Sequence, residues 1–169
     1  MQESFDFRTN NAGGPGKIVQ VDETMLNYKC KSHRGRSSRN KSDALCIVEY
    51  DGHITREFAV LIPNKKEDTI ILIHCNNVNG PTIWTDEHKS YSSLTKNGYF
   101  HQSVCHKYNF INKINGCNTQ AVEAFNNELK LEIKRRKGVL TSSRGDFLKE
   151  FTWLFNNKKD RFKRILKMI

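Results

Sequence analysis

The first two thirds of the chain carry short apolar runs broken by turn residues, and the last third changes to a helical period. Ile18 to Leu26 is dense in β-branched residues and reads as a buried strand. It follows Gly13, Gly14, Pro15 and Gly16, which close a polar linker over residues 1–16. Ala44 to Tyr50 and Glu57 to Ile62 flank the turn signal Asp51-Gly52 and predict a hairpin, which with the first strand makes an antiparallel meander. Glu67 to Asn76 has the spacing of a short helix through Ile70, Ile71 and Ile73, stopped by Asn79, Gly80 and Pro81. Pro81 to Asp86 then reads as a strand, and the intervening helix is the crossover that sets it parallel to the first. Tyr91 to Asn97 is expected to be a small helix ending at Gly98, with Tyr99 to Cys105 extended after it.

The clearest period lies further on. Val122, Phe125, Leu129 and Ile133 form one apolar stripe of a helix for which Asn118 is the predicted N-cap. Glu123, Asn127, Lys130 and Lys134 line the adjacent polar stripe. A last helix is predicted after Ser143, with Asp146 in a capping-box-like position and Phe147, Phe151, Leu154, Phe155, Phe162 and Ile165 buried. At 169 residues this amounts to one α/β domain, spanning 17–169.

Charge narrows the partner. The formal net charge is +10, and basic surfaces bind polyanions because neutralised phosphates release condensed counterions. The segment Lys29 to Lys41 holds six Lys or Arg, including Arg34, Arg36 and Arg39, among serines and glycine, and reads as a basic loop that contacts phosphate or is merely solvated. Five cysteines with no CxxC pair suit a reducing compartment, and no apolar run approaches the roughly 20 residues of a membrane span, so a soluble protein is expected. Cys30 with His33, or Cys105 with His106, would begin a zinc site, but the second pair of ligands is missing.

Against this basic background three acids stand out: Asp22 and Asp86 each end an apolar run, and Glu123 lies in the first turns of the periodic helix. Clustered carboxylates are what a two-metal phosphoryl-transfer site requires, since hard cations prefer oxygen ligands. The bland explanation is equally physical, because Asp opens turns and Glu suits the first turn of a helix dipole. Spacing alone does not decide between them.

The local strings do. GGPGKIVQVDET (13–24), the basic Arg34-Gly35-Arg36 loop, TIWTDEHKSYSSL (82–94), GYFHQSVCHKYNFIN (98–112), NTQAVEAFNNELK (118–130) and FLKEFTWLFN (147–156) resemble, in order, the catalytic domain of Merlin-superfamily transposases and related bacterial insertion-sequence transposases. The resemblance implies a ribonuclease-H-like, retroviral-integrase-like α/β fold, a mixed sheet flanked by helices. It implies a DDE transposase that cleaves DNA and transfers strands, with Asp22, Asp86 and Glu123 as catalytic residues holding two Mg2+ or Mn2+ ions. His106 and Asn109 fall near the site by the same match, His106 having a structural explanation as well. Arg34, Arg36, Arg39, Lys130, Lys134 and Arg135 are the expected DNA contacts. The expected partners are double-stranded DNA, as transposon ends and target, and further copies of the chain in an active homo-oligomer, with no membrane. The expected compartment is the nucleus of a eukaryote, or the cytoplasm and nucleoid of a bacterium.

Two departures accompany the resemblance. A tryptophan usually follows the helical acid by three residues, where this chain has Asn126, a change expected to disturb packing rather than chemistry. Members of that family carry an upstream DNA-binding segment, whereas about a dozen residues precede the matched blocks here, which leaves recognition of transposon ends an open question at this point. The rival readings are a transposon-derived DNA-binding protein without catalysis and a cellular nuclease of the same fold.

Overall fold

Side-chain alternation along Ile18–Met25 (β2) decides the layout of the molecule: Val19 and Val21 face one side of the sheet, Gln20 and Asp22 the other. The computed structural model describes residues 12–14, 16–27, 41–70, 78–79, 82–105, 111–159 and 161–166. Ala12–Gly13 (β1) precedes β2, and Asp43–Tyr50 (β3), Ile54–Ile62 (β4), Val78–Asn79 (β5), Thr82–Asp86 (β6) and Phe100–Val104 (β7) follow it. Three α-helices follow β7 among the described residues: Gln120–Arg135 (α1), Arg144–Asn156 (α2) and Arg161–Leu166 (α3).

The main sheet has the order β4-β3-β2-β6-β7. The meander β2-β3-β4 is antiparallel, while β6 and β7 continue it in parallel with β2. The hairpin and the parallel return are thus where the apolar runs placed them. Residues 67–70 are helical, and the remainder of the expected Glu67 to Asn76 helix lies outside the described residues.

Each sheet face carries its own core. Val19, Val21, Leu45, Ile47, Ile62 and Ile83 pack with Ile70, Tyr91 and Leu94. On the opposite face, Ala44, Cys46, Val48 and Ala59 meet Val122, Phe125, Leu129 and Ile133 of α1 and Phe147 and Leu148 of α2. The predicted α1 stripe is therefore the buried one. Burying a large aliphatic or aromatic side chain contributes roughly 1.5–3 kcal/mol, which is why this stripe, rather than helix propensity, holds α1 on the sheet.

Several expectations shift. Ala12 is fully buried and β1 pairs with β5, while the Gly13 N–H donates to Glu49 Oε2 at 2.8 Å, so residues expected to be linker already pack on the domain. Tyr91 to Asn97 forms two 3-10 turns, Lys89–Tyr91 and Thr95–Asn97, in place of one helix. The second stops at Gly98, whose φ of 86° is left-handed and costs glycine little. The expected last helix divides into α2 and α3: Asn157 Nδ2 donates to Trp153 O at 2.7 Å at the end of α2, and Phe162 beyond the break is 74% exposed. Ser143 makes no side-chain capping bond, so the capping box is absent.

Candidate active site

Parallel pairing brings two of the three acids side by side. Ile18 is level with Thr82, Val19 with Ile83 and Gln20 with Trp84, and Asp22 and Asp86 each follow two residues beyond that last pair. Both lie toward the carboxyl ends of adjacent parallel strands, where ligands of open α/β sheets gather. Side-chain alternation turns both toward the face covered by α1.

The third acid comes from α1, and a strand residue fixes where that helix begins. Gln20 is fully buried in β2. Its Oε1 accepts the N–H groups of Ala121 at 2.9 Å and Val122 at 3.1 Å, and its Nε2 donates to Asn118 Oδ1 at 3.3 Å. Helix starts leave such N–H groups without intrahelical partners, and here β2 satisfies two of them. Asn118, the predicted N-cap, accepts from Gln120 N–H at 3.2 Å, one residue outside the Thr119 position that precedes the helix. Glu123 follows within the first turn, its Oε1 accepting from the Thr119 hydroxyl at 3.0 Å.

The acids sense one another. Burial first, then the negative charges of Asp86, Glu23 and Glu123, push the Asp22 carboxyl up to about 6, with the Glu23 backbone N–H opposing. Asp22 Oδ2 accepts from Asn126 Nδ2 at 2.8 Å, and Asp86 Oδ1 accepts from the His88 N–H at 3.0 Å. Asn126 is buried, and the position expected to disturb packing rather than chemistry reaches the Asp22 carboxylate directly.

A second layer lies behind β2. The Tyr91 hydroxyl donates to Glu23 Oε1 at 2.6 Å, and Lys65 Nζ lies 3.9 Å from Glu23 Oε2. Burial and then the charge and hydrogen bond of Glu23 hold the Tyr91 phenol well above its ordinary range, so it stays a neutral donor. This bond ties the segment after Asp86 to the strand bearing Asp22.

Divalent ions suit this donor set, because carboxylate oxygens are hard ligands and the raised Asp22 carboxyl would be relieved by a cation beside it. Among the described residues, however, no three His, Cys, Asp or Glu side chains are arranged as a group able to hold a metal ion. Glu123 bonds to Thr119, Asp22 to Asn126 and Asp86 to the His88 N–H, so the neighbourhood is shared while the oxygens point to separate protein donors.

Of the expected DNA contacts, Lys130, Lys134 and Arg135 lie exposed on α1, Arg135 with a loose ion pair to Glu132 at 3.5 Å. Lys130 lies two turns beyond Glu123 on α1, and its charge and that of Asp22 both act on buried Cys46, which pairs with Asp22 across β2 and β3. Arg34, Arg36, Arg39, His106 and Asn109 lie outside the described residues. Gln20, Asn126, Glu23 and Tyr91 were not singled out as site residues by sequence reasoning. The one signal for Gln20 is an amide between Val19 and Val21 in a run otherwise fit for burial.

The sequence profile of the ISXO2-like transposase domain matches residues 13–156, from the glycines before β2 to the end of α2. The chain belongs to the ISXO2-like transposase domain family. Among solved structures, this ISXO2-like domain is similar to the catalytic core domain of BIV integrase, with a TM-score of 0.51, 14% identity and 84% of each chain covered. It is equally similar to a chain of the simian T-cell lymphotropic virus intasome in complex with the PP2A regulatory subunit B56 gamma, with a TM-score of 0.51 and 14% identity. There 81% of the ISXO2-like domain but only 47% of that chain is covered, so the domain spans about half of its length. No curated protein sequence matches the chain. At this identity the likeness concerns the fold, and the ISXO2-like domain is a ribonuclease-H-like mixed α/β fold of the integrase-core kind.

Proposed function

We propose that the domain carries out DNA strand cleavage and strand transfer dependent on divalent metal, with Asp22, Asp86 and Glu123 as the carboxylates that hold two Mg2+ or Mn2+ ions. The observation that supports it most is the convergence at β2: Asp86 on the neighbouring parallel strand, and Asp22 raised by burial and by the charges of both Asp86 and Glu123. When bound, such ions activate a water or hydroxyl nucleophile and offset charge on the leaving oxygen.

The chain's own residues do the rest. Gln20 anchors the helix that brings Glu123 to the sheet, and Tyr91 steadies the segment following Asp86. Lys130, Lys134 and Arg135 continue from Glu123 along α1 and supply positive charge for the phosphates on either side of the scissile bond. Double-stranded DNA is the substrate class, and an assembly of several copies fits a reaction on two transposon ends. The host compartment is that of its DNA, nucleus or bacterial nucleoid.

The test is nicking of supercoiled plasmid in Mn2+ by the wild-type chain and by Asp86→Ala, with circular dichroism to verify folding. Cleavage by wild type that Asp86→Ala loses by at least a hundredfold is expected. An Asp86→Ala protein that nicks at the wild-type rate contradicts the assignment. The DNA-binding reading without catalysis draws on the separately held carboxylates, and it requires wild type to bind DNA and leave it intact at every Mn2+ concentration.

A further inference from the structure

Asn126 is 3% exposed, and its amide is used on one side only. Nδ2 donates to Asp22 Oδ2 at 2.8 Å, whereas Oδ1 is buried without a hydrogen-bond partner. Leaving a polar atom buried and unpartnered is unfavourable, and an apolar side chain of the same size would avoid it. The position is not one where packing asks for an amide. Its neighbours on α1, Phe125 and Leu129, already fill the core against Cys46 and Val48. What the amide does instead is grip the carboxylate on which the Asp86 charge acts.

We propose that Asn126 is a positioning residue for Asp22, fixing the rotation of its carboxylate and thereby setting how tightly the acidic site takes a divalent cation. The inference rests on the reading of Asp22, Asp86 and Glu123 as the cation's ligands. An amide suits the task because it donates to a carboxylate without adding charge and without titrating. It comes from the same face of α1 as Glu123, three residues on, so one rigid helix presents a ligand and the group that orients a second ligand on β2. The partnerless Oδ1, on the same amide, is left as an acceptor for a water of a hydrated cation.

The experiment is Mn2+ binding to the full chain, read as loss of the free-ion electron paramagnetic resonance signal, with thermal melting alongside. Wild type is compared with Asn126→Leu, Asn126→Ala and Asp86→Ala. Asn126→Leu keeps the branched shape and removes both polar atoms, so it is expected to melt close to wild type and to bind Mn2+ at least tenfold more weakly. A folded Asn126→Leu with wild-type Mn2+ affinity overturns the proposal, since a merely structural role leaves binding unmoved. Should neither Asn126 variant fold, the side-chain amide resonances of Asn126 in the wild-type chain decide it under Mg2+ titration. Shifts that track saturation support the proposal, and resonances that stay fixed while the site fills overturn it. Wild type that takes no Mn2+, or Asp86→Ala that binds like wild type, instead sinks the ligand reading itself and this inference with it.

Discussion

Gln20 of β2 accepts the backbone N–H of Ala121, 101 positions later, at 2.9 Å, so a strand side chain serves as the cap of the helix that carries Glu123. The same oxygen takes the N–H of Val122. Strand and helix are therefore joined by a polar clamp in the middle of an apolar layer, one turn from the candidate acids.

Removing that clamp strands two buried donors. Gln20→Ala is expected to lower unfolding stability by about 2–4 kcal/mol, the sum of an opened cavity and unpaired N–H groups. Urea denaturation measures it, and amide hydrogen exchange of Ala121 and Val122 is expected to accelerate more than that of Leu129. Uniform acceleration along α1 would show that Gln20 packs without capping.

Glu57 supplies the pH dependence. It lies fully buried on β4, both carboxyl oxygens lack a hydrogen-bond partner, and burial raises the group from 4.5 to about 10, the Lys158 charge opposing. Its backbone is held instead by Asn156, which accepts from the Glu57 N–H at 2.9 Å and donates to its carbonyl at 2.7 Å. A carboxyl that is neutral in the fold but ionised when unfolded binds an extra proton in the native state between those values. Its contribution is fully present below pH 4.5 and is lost as pH rises toward about 10. The loss is roughly 1.4 kcal/mol per pH unit at most. Glu57→Gln is expected to flatten the decline of stability between pH 5 and 9, measured by denaturation at each pH. Parallel wild-type and variant curves would exclude a neutral Glu57.

Lys130 and Lys134 test the DNA face. Each Ala substitution is expected to weaken binding to duplexes of unrelated sequence alike and to reduce the slope of log affinity against log salt by about 1. Fluorescence anisotropy across a salt series gives both quantities. Unchanged slopes would move the phosphate track off α1.

The sequence carried more of the fold than of the site. The apolar stripe of Val122, Phe125, Leu129 and Ile133 is a local pattern, and it buries as its spacing requires. The hairpin and the parallel β6 also follow from short-range signals, turn residues and a crossover segment. Asn126 shows the limit: its spacing from Glu123 was visible, yet its partner Asp22 lies 104 positions away, and packing was the simpler explanation for a lost tryptophan. Phe162 marks another, since an apolar residue on a helical period looked buried while the break after Asn156 leaves it exposed.

By itself, then, the chain's pattern determined the antiparallel meander, the parallel return of β6 and which helix face is apolar, because each depends on neighbours a few residues apart. Tertiary structure alone decided that Gln20 caps α1, that Asn126 holds Asp22 and that Glu57 is buried without partners. Those outcomes depend on which side chains meet across the sheet, and hydrogen bonds of that reach leave no period in the sequence.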